Sequence, residues 1–161
     1  MPDAENSPPQ DHANVLVMPP LLYVGALVFG IAAQWIAPLR LPGPPELRWG
    51  VGAALLAGGI AVGLGFSRAF ERSGQNKNPN TPSPSVISDG LYRYSRNPAY
   101  VSLTAALLGL GLLLNNVWLL LVAVPVVLVM NYGVIHREEA YLERTFGDEY
   151  ARYKAGVRRW L

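Results

Sequence analysis

Leu110-Gly111-Leu112-Leu113-Leu114-Asn115-Asn116-Val117-Trp118-Leu119-Leu120-Leu121 lies at the centre of a nearly unbroken apolar run from Tyr100 to Ile135. A helix crosses a hydrocarbon core with roughly 20 apolar residues, so this run is too long for one span. It suits two helices joined by a tight Asn115-Asn116 turn. The run therefore predicts helices over 99–114 and 117–135, with Pro125 bending the second. A hairpin of this kind returns the chain to the side it left. The polar stretches at its two ends, Gly90 to Tyr100 and His136 to Leu142, then share one membrane face.

Upstream, residues 15–38 are apolar apart from Gln34 and form a first candidate span. Pro19-Pro20 fits its first turn, where a missing N–H costs little, and Trp35 suits an interface. Pro42-Gly43-Pro44-Pro45 marks a turn before a second span over 47–70. There Ala53, Ala57 and Ala61 fall at a spacing that lets helices approach closely in lipid; equally, small residues are simply common in membrane helices. Residues 76–85 hold Pro79, Pro82 and Pro84, which favour an extended connector or a lid. Residues 1–14 carry Asp3, Glu5 and Asp11 without Lys or Arg, and read as a disordered tail rather than a signal peptide. Residues 136–161 turn charged and read as an amphipathic interfacial helix. The expected fold is all-α: a single polytopic membrane domain over 15–161, with about four transmembrane helices and a C-terminal amphipathic helix.

Composition agrees. Only 15% of residues are charged and 51% are hydrophobic, against about 25% charged in a soluble domain. The chain has no cysteine and two histidines, which excludes thiolate sites and leaves too few ligands for a His-based zinc site, so no metal is expected. A net charge of +2, without a basic stripe, argues against nucleic acid. With four spans, one side holds 11 of the 13 Lys and Arg residues and the other only Arg40 and Arg48. The positive-inside rule then places both polar clusters and both termini on the cytoplasmic side of the membrane.

Two clusters can carry chemistry. Tyr92, Arg93, Tyr94, Arg96 and Tyr100 form either a headgroup anchor or part of a site. Asn97-Pro98 reads as a capped helix start, whose free N–H groups suit a carboxylate. Arg137-Glu138-Glu139 is either a solvated helix start or, facing the first cluster, the other half of a grip on a zwitterion. Aromatic faces add cation–π attraction to a sulfonium or ammonium.

Gly90-Leu91-Tyr92-Arg93-Tyr94-Ser95-Arg96-Asn97-Pro98-Ala99-Tyr100 resembles the Arg-His-Pro-x-Tyr-x-Gly motif of the isoprenylcysteine carboxyl methyltransferase family, which is related to the phospholipid methyltransferases. Glu138-Glu139-x-x-Leu142, Phe146-Gly147-x-x-Tyr150-x-x-Tyr153 and Val157 continue the likeness. It covers roughly Val86 to Leu161. The resemblance implies a membrane methyltransferase using S-adenosyl-L-methionine, with Tyr92, Arg96, Asn97, Pro98, Tyr100, Glu138 and Glu139 lining the cofactor pocket and Arg96 or Arg137 holding a carboxylate. Its substrate would be amphipathic and arrive through the bilayer. Asn97 stands where the motif has His, and Ser102 where it has Gly. Asn cannot titrate near neutral pH, which tilts the expectation toward O-methylation of a carboxylate, a nucleophile that needs no base. Phospholipid or small-amine N-methylation and a non-enzymatic binding protein are the alternatives.

Overall fold

The computed structural model describes residues 13–73 and 85–161. The expectations for residues 1–12, and for all but Ser85 of the Pro/Asn-rich stretch, lie outside the described residues. Among the described residues the fold is all helical. It comprises α1 (Pro19–Ile36), α2 (Pro45–Ser73), α3 (Pro98–Leu113), α4 (Val117–Val129), α5 (His136–Phe146) and α6 (Asp148–Gly156), with a 3₁₀ turn at Gly90–Arg93. A π-helical segment, Met130–Ile135, joins α4 to α5, so 117–146 runs as one continuous helix. Among the described residues, three helical stretches are long and apolar enough to cross a membrane: Pro19–Ile36, Pro45–Arg72 and Val117–Phe146. The apolar α3 has 16 residues.

The helices pack in the order α2, α3, α4, α1. Pro19 opens α1, as its position predicts. The Asn-Asn turn closes the α3/α4 hairpin: Asn115 takes φ +50°, and Asn116 caps α4 by accepting from the Leu119 N–H at 3.2 Å. The buried Asn116 amide also donates to the Gly30 carbonyl at 2.9 Å, pinning the turn to α1. Gly30 itself lies against Leu119, which a Cβ would strike.

Close packing of α2 on α3 uses glycine, not alanine. A Cβ on Gly109 would lie 2.8 Å from the Gly52 carbonyl oxygen and the Leu56 nitrogen, and one on Gly59 would lie 2.9 Å from the Ser102 carbonyl oxygen. Backbones this close leave room for hydrogen alone, which strengthens the van der Waals contact that holds helices together in lipid. Ala53, Ala57 and Ala61 are exposed. The four-residue alanine row faces away from the bundle because the glycines occupy the opposite side of the same helix.

The C-terminal region is two helices rather than one. Gly147, at φ +52°, ends α5 and turns the chain into α6. Lys154 pairs with Glu143 across the corner. Beyond Gly156 the chain leaves the helix and folds back, so that Trp160 packs against the bundle core. At the other end of the described chain, the Leu16 N–H donates to the Gly133 carbonyl of the π segment at 3.1 Å.

Candidate active site

Where α2 and α3 meet α5 and α6, they enclose a cavity of about 570 Å³. One end is apolar, walled by Ile60 and Leu64 of α2 and by Leu103 of α3, while Phe70 of α2 stands beside the Tyr92 ring at 6.4 Å between centroids. The other end is polar and collects Tyr92, Arg96, Asn97, Pro98, Tyr100, Glu138 and Glu139. The hairpin thus gathers into one cavity all seven residues expected to line a pocket. Arg137 is the exception: it does not line the cavity, and its Nη1 donates to the Asn14 carbonyl at 2.9 Å.

Glu139 is the most enclosed charge, 4% exposed. Its Oε1 lies 3.2 Å from Arg96 Nη2 and accepts from Arg159 Nε at 3.0 Å, while its Oε2 accepts from Arg159 Nη2 at 2.6 Å. The Arg159 grip is therefore bidentate, the strong form of a charge-assisted pair. The hydrogen bond to Glu139 holds the Arg159 guanidinium above its usual pKa. Arg159 Nη1 also reaches Asn131 Oδ1 at 3.3 Å, a residue of the π segment. In that segment the His136 N–H reaches back five residues to the Asn131 carbonyl, the spacing that defines π geometry.

Glu138 is held differently. The Tyr100 hydroxyl donates to its Oε1 at 2.7 Å, and it faces the cavity without an arginine in salt-bridge range among the described residues. Arg96, in turn, is not satisfied by Glu139 alone. Its Nε and Nη1 are buried and make no close hydrogen bond among the described residues, although the Tyr150 phenol stands beside the guanidinium. Buried donors of this kind cost free energy unless a partner arrives.

Asn97 precedes Pro98 at the start of α3, but its side chain does not cap that helix. Its amide donates to the Arg159 carbonyl at 2.8 Å instead, and its own N–H is met by Ser95 Oγ at 3.1 Å. The Arg96 N–H donates to the Arg158 carbonyl at 2.9 Å. The returning C-terminal segment holds the Asn97 side chain by its NH2 group, and the Asn97 side chain makes no capping bond to α3. Around the rim, the Tyr153 hydroxyl donates to the Tyr92 carbonyl at 2.8 Å. Burial pushes the Tyr150 phenol up to about 12 and moves Tyr92 and Tyr153 in the same direction. At neutral pH all three are donors and none is a base.

Arg159 has no counterpart among the residues expected from sequence. It sits in a basic tail, Arg158-Arg159, that reads as an interfacial charge. Only the chain reversal after Gly156 brings it to Glu139. Tyr150 and Tyr153 are legible as a spaced pair, though without a part to play.

The family model described as phospholipid methyltransferase matches residues 47–149, more than half of the chain. An uncharacterized protein of Haemophilus influenzae is 52% identical over 62 residues, 38% of this chain and 98% of that protein. Protein-S-isoprenylcysteine O-methyltransferase of Schizosaccharomyces pombe is 38% identical over 72 residues, 45% of this chain and 30% of the yeast enzyme. The chain thus spans less than a third of that enzyme's length. No solved structure matches the chain. Apolar helices and methyltransferase relatives together define an integral membrane protein of the methyltransferase class. The chain belongs to the phospholipid methyltransferase family, and the likeness to isoprenylcysteine methyltransferases expected from its motifs is borne out.

Proposed function

We propose that this protein is an S-adenosyl-L-methionine-dependent methyltransferase that methylates a carboxylate of an amphipathic substrate reached through the bilayer. The observation that carries the reading is the pair of buried Arg96 nitrogens without a close acceptor, on a residue that lines the same cavity as Glu138, whose carboxyl group is engaged by Tyr100 and by no arginine among the described residues. An amino-acid-like ligand carries a carboxylate and an ammonium, and it would satisfy both.

S-adenosyl-L-methionine, when bound, supplies a methyl group on a sulfonium. Arg96 Nε and Nη1 would hold its carboxylate, and Glu138, steadied by Tyr100, would hold its ammonium or a ribose hydroxyl. The phenols of Tyr92 and Tyr150 remain protonated and offer faces and donors to a cationic, heteroaromatic guest. Ile60, Leu64 and Leu103 keep water from the far end and give the substrate's apolar part a place to lie. Asn97 cannot accept a proton, and a carboxylate nucleophile releases none. Positioning and water exclusion are then the main contributions of the protein.

A four-span topology with cytoplasmic termini accompanies this reading. The antiparallel register Gly52–Gly109, Gly59–Ser102 lays α3 along the length of α2, which supports α3 as a fourth crossing despite its 16 residues. The 11-to-2 partition of Lys and Arg supports a cytoplasmic site. The amphipathic character expected of the C-terminal region would then belong to α5.

One observation favours a second reading, phospholipid or small-amine N-methylation. Glu138 places a carboxylate inside the cavity, where it could receive the proton that an attacking amine must lose. Incubating the purified protein with the labelled methyl donor and either a lipid carboxylate or an ethanolamine lipid distinguishes the two by product.

Calorimetric titration of S-adenosyl-L-methionine into the detergent-purified protein tests the cofactor assignment. Binding to the wild type and at least about tenfold weaker binding to Arg96→Ala (about 1.4 kcal/mol) are expected. Equal affinity in both would remove the site, and no binding to the wild type would favour a non-enzymatic binding protein.

A further inference from the structure

The C-terminal segment after Gly156 contributes a second cation to a carboxylate that already has one. Glu139 carries one negative charge and is gripped by both Arg96 and Arg159. The Glu139 side chain is 5% exposed and that of Arg96 9% exposed, so this pair has little water to balance its charge, whereas Arg159, 32% exposed, reaches them from the solvent side. The three groups sum to one net positive charge. Without Arg159 the sum is zero, and Arg96 becomes the sole counter-ion of a buried carboxylate, a pairing that would use the whole guanidinium.

We infer that Arg159 is a positioning residue. By occupying both oxygens of Glu139 it frees the Nε/Nη1 edge of Arg96, and one unit of positive charge, for the carboxylate of an incoming ligand. The geometry is specific to this task. Arg159 meets Glu139 through two parallel N–H donors at 3.0 and 2.6 Å, whereas Arg96 touches it through Nη2 alone. Two contacts seat the C-terminal segment over the same spot, since the Arg158 and Arg159 carbonyls accept from the Arg96 N–H and the Asn97 amide. The segment is thus fastened at Arg96, whose charge it adjusts, and at the next residue. Asn131 Oδ1 in the π segment provides the outer stop for the Arg159 guanidinium.

The inference rests on the proposed methyl-donor site, and one experiment separates the two. S-adenosyl-L-methionine is titrated into the full chain in detergent, for the wild type, Arg159→Gln, Arg159→Lys and the double variant Arg159→Gln/Glu139→Gln. Thermal unfolding of each is followed in parallel. Arg159→Gln is expected to weaken binding about tenfold or more, because Arg96 is drawn onto Glu139. Arg159→Lys keeps the charge but not the planar fork, so its affinity is expected to fall between those of the wild type and Arg159→Gln. In the double variant the amide that replaces the Glu139 carboxylate still accepts from Arg96 but carries no charge, so binding recovers to within about threefold of wild type. A merely structural clasp would leave the double variant no tighter than Arg159→Gln, and that result would overturn the inference while the methyl-donor site stood. A wild type that does not bind the ligand would overturn both.

Discussion

The Tyr100 hydroxyl donates to Glu138 Oε1 at 2.7 Å, so the first turn of α3 orients the carboxylate of α5 across the mouth of the cavity. The phenol and the carboxylate stand at opposite ends of the apolar hairpin, and their contact closes it at the functional end. Tyr100→Phe removes the donor and keeps the ring. A hydrogen bond to a charged group contributes about 1.5–3 kcal/mol, so kcat/KM should fall at least about tenfold and the unfolding midpoint should drop by a few degrees. Steady-state kinetics with the labelled methyl donor check this, and unchanged kinetics would mean that Glu138 is oriented by something else.

Arg137→Ala should leave S-adenosyl-L-methionine affinity within about twofold of wild type, because Arg137 donates to the Asn14 carbonyl and lies outside the cavity. The same titration used for Arg96→Ala measures it. A loss comparable to that of Arg96→Ala would return Arg137 to the site.

Two glycines of the bundle should respond oppositely to one methyl group. Gly109→Ala places a Cβ 2.8 Å from backbone atoms of α2, which cannot yield as a flexible side chain can. Overpacking of this kind costs about 1–3 kcal/mol. Gly58→Ala meets nothing within 4 Å and should be neutral or slightly stabilising, since Ala is the better helix former. Thermal unfolding in detergent compares them, and equal midpoints would contradict the α2/α3 interface.

Asn116→Ala removes the α4 cap and the buried donor to the Gly30 carbonyl together. Loss of an N-cap alone costs about 0.5–2 kcal/mol, and the Gly30 carbonyl loses a partner as well. The unfolding midpoint should therefore drop more than for Asn115→Ala. Asn115 also has a partner to lose, because its Oδ1 accepts from the Leu41 N–H at 2.8 Å, so the comparison is one of degree.

Much of this architecture is legible in the residues because hydrophobic length and turn chemistry are local properties. The apolar block from Tyr100 to Ile135, cut at Asn115-Asn116, specifies a hairpin without reference to the rest of the chain. Pro19-Pro20 and Pro98 mark helix starts for the same local reason, a fixed φ and a missing N–H. Pairing across space is not local. Nothing in α2 read alone tells whether the Gly52/Gly59 face or the Ala53/Ala57 face meets a neighbour, because both rows have helical spacing. Asn97 has the chemistry of a cap, yet its NH2 group donates to the Arg159 carbonyl once the tail returns, and the side chain is turned to that bond instead. Arg159 is hidden for a similar reason, since a tail arginine shows its partner only after the turn at Gly147 and the reversal beyond Gly156. Gly147 is the available signal: a glycine directly after Phe146 is where a helix often stops.

The π segment between α4 and α5 has a consequence for how such a site can change. Each helical residue advances the azimuth by about 100°, and the wide turn at Met130–Ile135 absorbs one residue beyond the regular count. Deleting one residue there would restore the ordinary pitch and leave Glu138 and Glu139 facing the cavity, because the wide turn already takes up the surplus. Deleting a residue of α4 before the wide turn, with that turn kept, would instead carry the acidic pair round by about 100° toward lipid or solvent. The π segment is therefore the place in this helix where a residue can be lost with least effect on the direction of the acidic pair.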